Sequence, residues 1–338
     1  ENKLQEARSK YDAAQTAYNQ ASDADKASKM EALQEARNNL TEAEFNLQKA
    51  KQQAKIDSAA GKATMTANII PVAVAGVASG LGFNAKVEDS SQTNVNIGAG
   101  QTFTSKKAGG KVDINAINNS VNKVSSVTVN AALGAAIGAT GVQAKSGAGS
   151  SLTVGNNNVF EADKVNLGAE ANVINDAKIT AVGAGFGSFM VNWATADAAT
   201  NVNVNVGDNL YKARNVNITG KSDITQHAGA TGLIAGMYTS GTNLAKVDAH
   251  DVVNVTANGN KAESTDNTSQ NAVNIAAEGV VNQLADSNGY GGAYVDLSPA
   301  AAITKSKIDS VTNAIAAGSW NAQSMNVNAL HDNQVALN

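Results

Sequence analysis

The chain has 338 residues, a formal net charge of -4, 4% aromatic residues, 30 Gly, 2 Pro and no Cys. The acidic balance argues against nucleic acid as a partner, because its binders usually carry a basic footprint, and the lack of Cys removes thiol catalysis, disulfides and thiolate metal sites together. So few large side chains disfavour a wide globular core and favour a thin core of Ala, Val and Ile stacked in repeats.

Residues 1–57 differ in kind from the rest. They hold 9 Lys/Arg and 10 Asp/Glu of the chain's 25 and 29, so charge density falls from about a third to about an eighth beyond them. Leu4, Ala7, Tyr11, Ala14, Tyr18 and Ala21 alternate spacings of three and four, as do Leu33, Ala36, Leu40, Ala43, Leu47, Ala50 and Ala54. Both are heptad seams whose small residues let two helices approach closely. Ser22-Asp23-Ala24-Asp25 breaks the pattern with N-cap residues, and Ser28-Lys29-Met30-Glu31 has capping-box spacing. The expectation is an antiparallel helical hairpin over residues 1–60, a candidate cap for one end of the repeat region or an insertion beside it. A parallel oligomeric stalk is the competing reading of the seam. The chain opens inside a helical pattern, with no signal peptide, which reads as a segment of something larger.

Residues 64–338 repeat. Val112-Asp113-Ile114, Val165-Asn166-Leu167, Val216-Asn217-Ile218, Val273-Asn274-Ile275 and Met325-Asn326-Val327 form one series, with markers Ile114, Leu167, Ile218, Ile275 and Val327 spaced by 53, 51, 57 and 52 residues. Alternation of period two places the aliphatics on one face of a strand and the polar residues on the other. A second series reads Val95-Asn96-Ile97, Leu152-Thr153-Val154, Val204-Asn205-Val206, Val253-Asn254-Val255 and Ile308-Asp309-Ser310-Val311. The connection from the first series to the next second-series marker is nearly constant, at 40, 39, 37 and 36 residues. The other varies between 12 and 20 and carries turn chemistry: Gly98-Ala99-Gly100, Gly155-Asn156-Asn157-Asn158 and Gly207-Asp208-Asn209.

The constant connection also holds recurring runs of small residues, among them Ile69 to Phe83, Ala131 to Val142, Ala181 to Phe186, Gly229 to Gly236 and Gly291 to Tyr294. None is long enough to cross a bilayer as a helix. Missing aromatic girdles disfavour a transmembrane β-barrel. The fold expected is mainly β: a parallel β-solenoid of about five modules of about 50 residues, each module making two turns, in a rod on the order of 50 Å long. Asn side chains beside the strands and in the turns are expected to hydrogen-bond from one turn to the next.

Chemistry-bearing motifs are sparse. In Asp248-Ala249-His250-Asp251 the first Asp and the His share a strand face, but nothing nearby supplies a third metal ligand, so a solvated edge is the plainer reading. Solenoids can process polysaccharides, and the acids Glu88, Asp89, Glu161, Asp163, Asp248, Asp251 and Asp286 show no paired-carboxylate arrangement. Neither a phosphate loop nor a calcium-binding nonapeptide is present. Neither a catalytic residue nor a cofactor is assigned. Trp193, Tyr238, Tyr290 and Tyr294 are the candidate ligand-binding residues, as a glycan-stacking surface; core filling is the plainer role for each.

Ala181-Val182-Gly183-Ala184-Gly185, Thr200-Asn201-Val202-Asn203-Val204-Asn205-Val206-Gly207 and Val216-Asn217-Ile218-Thr219-Gly220 resemble the repeats of large secreted filamentous adhesins of Gram-negative bacteria, and most of all the leukotoxin-like filamentous adhesins of fusobacteria and related anaerobes. The resemblance covers residues 64–338. It implies right-handed winding, type V secretion through an outer-membrane pore, an extracellular or cell-surface location and a role in virulence. The hairpin is not part of the pattern. The function expected is an adhesive shaft whose variable turns meet a host-cell or bacterial surface protein or glycan, with a monomer favoured. The alternatives are a polysaccharide-processing enzyme and a segment of a trimeric autotransporter adhesin.

Overall fold

The computed structural model describes residues 2–338 apart from 23, 60, 259–260, 264–271 and 297–300, with backbone alone for 261–263 and 292–296. Two helices come first. α1 (Asn2–Asn19) and α2 (Lys26–Asp57) fold back on each other, with Ala7 and Ala36 buried and Arg8 3.4 Å from Glu44. In the break between them Ser22 Oγ donates to the Asp25 carboxylate (2.6 Å). Helix α2 begins at Lys26, so Ser28 falls within its first turn and bonds the Asp25 carbonyl (3.0 Å) instead of opening a capping box.

Strands occupy most of the remainder, in six tiers. The first tier is β1 (Ala63–Ile69), β2 (Val72–Ala75), β3 (Ala78–Asp89) and β4 (Gln92–Ile97), followed by the short β5 (Thr102–Thr104). The second is β6 (Lys111–Ala132), β7 (Ala135–Ser146) and β8 (Gly149–Val154), followed by β9 (Val159–Glu161). The third is β10 (Lys164–Val206) followed by β11 (Leu210–Lys212), and the fourth is β12 (Asn215–Asn258) followed by β13 (Lys261–Glu263). The fifth is β14 (Ala272–Asp296) and β15 (Ala301–Ala317), and the sixth is β16 (Ser324–Leu337). All pairing between tiers is parallel and forms one large sheet plus a four-stranded sheet of β5, β9, β11 and β13.

Each tier runs out and back. Asn130 donates to the Ile137 carbonyl (2.8 Å), Asn122 to that of Lys145 (3.0 Å) and Asn175 to that of Asp197 (2.6 Å); Ser150 Oγ donates to the carbonyl of Ala116 (2.7 Å). The outgoing leg of a tier therefore lies face to face with its return leg. We call the turn between the legs the apex and the opposite edge, where β5, β9 and β11 lie, the base.

The first-series markers are direct partners. Ile114 pairs with Leu167, Leu167 with Ile218, Ile218 with Ile275 and Ile275 with Val327. In the second series Ile97 pairs with Val154 and Val154 with Val206, but the later markers slip. Val206 pairs with Ala257 in place of Val255, and Ala257 with Ala316 in place of Val311. The two-residue slip at Val255 preserves the alternation, so periodicity cannot detect it, whereas Val311 lies five residues from Ala316 and on the outward face of its strand. In the observed register the constant connection spans 40, 39, 39 and 41 residues (Ile114 to Val154, Leu167 to Val206, Ile218 to Ala257, Ile275 to Ala316).

The module is also thinner than the two turns expected of it. Partners in neighbouring tiers are one module apart, as with Ala177 and Ala228, so a module contributes one layer of pairing and not two. A leg of about 21 residues extends to roughly 70 Å, and six tiers at about 4.8 Å spacing stack to about 24 Å. The stack is thus about half the length expected from the sequence, and much wider.

The core between the legs is driest near the base. Val165, Leu167, Val202, Val204, Val216, Ile218, Val253 and Val255 are fully or almost fully buried there. Farther along, the contact is made by small residues, Ala177, Ala194, Ala196, Ala228 and Ala245, which sets a close approach of the legs. Amide ladders run up the stack as expected: Asn166 to Asn217 (2.8 Å) and Asn203 to Asn254 (3.2 Å) outside, Asn122 to Asn175 (3.2 Å) and Asn192 to Asn243 (2.9 Å) within.

Helix α2 does not close an end of the stack. It lies across the outer face of the outgoing legs, with Phe45 against Leu284 and Ala336, and Ile56 against Val121 and Ile174. Leu167→Ala, which opens a cavity facing three tiers, is expected to lower the unfolding free energy by about 2–5 kcal/mol. Asn166→Ala on the outer face of the same strand should lower it by about 1 kcal/mol, and urea titration of both variants measures the difference.

Candidate binding surface

Three surfaces carry the polar and aromatic residues that a partner could meet: the base edge, the flank under α2, and the outer faces near the apex.

At the base, the variable connections are more ordered than their turn chemistry suggests. The first four each hold a short strand, and Phe103, Phe160 and Tyr211 stack one above another with ring centroids 5.2 and 5.3 Å apart. Phe160 and Tyr211 are fully buried, and burial pushes the Tyr211 phenol well above its usual range. Side-chain amides line the turns: Asn209 Oδ1 accepts from the Asn158 backbone (2.8 Å), and Asn158 Oδ1 from the Gln101 backbone (2.7 Å). Gly100 and Gly109 hold φ of 73° and 72°, and Asn157 takes φ 60°, a left-handed conformation that Asn tolerates better than most side chains. What remains exposed is the turn surface itself, where Lys106, Lys107 and Asp208 project. Aromatic stacking between tiers was not legible from the sequence, because Phe103, Phe160 and Tyr211 fall within the connections whose lengths vary.

On the flank, α2 presents Phe45, Lys49, Gln52 and Ile56 to the sheet. Gln52 donates to the Asp223 carbonyl (2.6 Å), and Lys49 pairs with Asp176. His227 sits beneath Phe45 (ring centroids 5.8 Å), with Nδ1 3.1 Å from Asp176 and Nε2 hydrogen-bonded to Asp286. Burial pulls the imidazole pKa down, yet the hydrogen bonds and charges of these two carboxylates outweigh it and raise the value. Burial likewise opposes ionisation of Asp176, and His227 and Lys49 overcome it, leaving that carboxyl well below the usual range. The spacings of four, three and four from Phe45 to Ile56 form a second helical stripe off the heptad seam, which is the signal that marks this interface.

Trp193, Tyr238 and Tyr290 lie outside the core. Trp193 lies half-buried on the return leg, packed over Gly141 of the tier before it, where any Cβ would collide with the indole. Tyr238, on the same leg, meets Phe186 edge-on (5.5 Å, 64°). Tyr290 is exposed and pairs in register with Leu233 on the outgoing leg, so it faces away from the other two. The side chain of Tyr294 lies outside the described residues.

The acids also divide. Asp248 and His250 point outward as the strand pattern requires, and His250 is 3.4 Å from Asp309. Asp251 points inward and is fully buried. It accepts from Thr200 Oγ1 (2.6 Å), which lies 2.8 Å from Ser222 Oγ, and burial raises its pKa. The His331 ring approaches it at 4.0 Å. This group is enclosed between the legs and ties them together. Among the described residues no three or more His, Cys, Asp or Glu side chains are placed to hold a metal ion, and no helix is long and apolar enough to cross a membrane.

No protein-family model, no curated protein and no solved structure matches the chain.

The flank yields a pH prediction. The folded-state pKa of His227 lies above its ordinary value of 6.5, so its stabilisation is full below that value and is lost as the pH rises through the raised one. Raising the pH from about 6 to about 9 should lower the melting temperature of the native chain more than that of His227→Gln, measured by circular dichroism in parallel.

Proposed function

We propose that this chain is a β-solenoid shaft segment of a large bacterial surface or secreted adhesin, presenting its base-edge turns to a surface protein or glycan. One observation carries the reading: every tier repeats the same parallel register, while the connections at the base differ in length and sequence from tier to tier. A scaffold of this kind keeps its main-chain ladder whatever the turns carry, which leaves one edge free to diversify. The scarcity of large core side chains and the interior amide ladders suit an extended stacked body. The likeness of the Val-Asn repeats to filamentous adhesins supports export and a cell-surface location.

Binding of the purified chain to immobilised glycans and to host-cell and bacterial surfaces tests the proposal. Replacing residues 105–109 with Gly and Ser, together with Asp208→Ser, is expected to weaken adhesion about tenfold or more without moving the melting temperature by more than a few degrees. Adhesion that survives these changes reduces the segment to a spacer.

A further inference from the structure

In each of the first four tiers the half nearest the apex carries no charge, whereas the fifth places Asp296 there, paired in register with Thr239. Between Lys62 and Lys86, Lys123 and Lys145, Lys178 and Asp197, and His227 and Lys246 lie 23, 21, 18 and 18 residues free of Asp, Glu, Lys, Arg and His. Each stretch is folded near its midpoint by the apex turn, so the uncharged parts of the four tiers lie side by side.

Within this region the usual order of inside and outside is reversed in part, although Val142, Ile179, Met190 and Ile234 stay buried between the legs. Facing the partner leg are Asn130, Thr140, Ser188, Asn192 and Asn243, none more than 1% exposed. On the outer faces and along the turn are Val74, Val77, Leu133, Ile137, Phe186 and Phe189, between 43% and 84% exposed. The base half has the opposite order, with Leu167, Val204 and Ile218 inside and Asn166, Asn203 and Asn217 on the outer face. Large apolar side chains on the outside and polar ones within are the distribution of strands whose surroundings are apolar.

We propose that the apex is a membrane-inserting edge, whose ligand is the hydrocarbon interior of a lipid bilayer. Both flat faces and the turn between them are apolar. A second protein surface covers one face, whereas a bilayer surrounds all three. Each uncharged leg of about nine to eleven residues reaches about 30 Å, comparable to the hydrocarbon thickness. Tiers two to four are hydrogen-bonded to a neighbour on both sides here, so their backbone needs nothing from water. Lys86, Lys123, Lys145, Lys178 and Lys246 stand where the uncharged region ends, a position from which lysine stems reach headgroups. The inference is independent of the adhesin reading: a turn-borne ligand site sits at the base, the opposite edge.

Flotation of the full chain with neutral phosphatidylcholine vesicles tests it. The native chain is expected to float with the vesicles. A Leu133→Glu/Phe186→Glu double variant should lose about tenfold or more of the bound fraction, while Val311→Glu, a comparably exposed position away from the apex (46%), should keep it. Thermal melts establish that both variants are folded. In a Trp320→Phe background, Trp193 fluorescence should be quenched by lipids brominated on their acyl chains. Three results overturn the proposal: a native chain that stays with the buffer; binding confined to anionic vesicles and unchanged in the double variant, which is adsorption by charge; or a dimer in solution that the double variant dissociates and that does not bind lipid, which makes the apex an interface between copies.

Discussion

Parallel main-chain pairing between successive tiers is the constraint on which everything else rests. Parallel strands need long connections, and here the connection is the remainder of the tier itself. Once Leu167 is placed beside Ile114 and Ile218, every residue of the third tier has its partners assigned, because the ladder continues with little interruption through both legs. The Ala-rich contact between legs, the amide ladders and the Phe103–Phe160–Tyr211 stack are consequences of that register, each being a position repeated at the tier spacing.

Such a stack has little apolar surface to bury per residue, and it compensates in two ways. Small residues bring the legs close enough for dispersion contacts to accumulate. Interior polar groups bond across or along the stack, so that Asn175, Asn192 and Asn243 each use both amide oxygen and amide nitrogen within the protein. A satisfied polar interior fixes register more strictly than an apolar one, because a displaced strand would leave amides unpaired. Asp251 places a carboxyl in the same interior, accepting from Thr200, whose hydroxyl in turn meets Ser222 on the other leg.

Much of this was legible in the sequence, and the rest was hidden for identifiable reasons. The five first-series markers coincide with direct partners because large aliphatics flank an Asn or Asp in nearly every copy. The later second-series markers slipped because Ala257 and Ala316 carry little hydrophobic signal beside Val255 and Val311. The module makes one layer and not two because its constant connection of about 40 residues is two long legs with a single fold between them, a length that alternation of period two does not reveal. The Gly- and Ala-rich runs make core filling the plainer role for Trp193, Tyr238 and Tyr290, beside their candidacy as a ligand-binding surface. The runs prove to be where outward positions take the larger side chains, so hydrophobicity alone points the wrong way. Phe45, Gln52 and Ile56 went unassigned because the heptad seam explained α2 without them.

The placement of α2 across the flank makes the helix a gauge. One helical turn advances about 5.4 Å and one tier about 4.8 Å, so successive turns of the helix meet successive tiers almost in step. From Phe45, at the fifth and sixth tiers, to Ile56, at the second and third, the helix climbs about 16 Å against about 14 Å for three tier spacings. The mismatch of roughly half an ångström per step is absorbed by flexible side chains such as Lys49 and Gln52 over this distance. Over ten tiers it would exceed a full spacing, and the stripe would face gaps as often as partners. A straight helix can therefore register a stack of this height but not a much taller one, and the length of α2 sets how many tiers can be clasped as a unit.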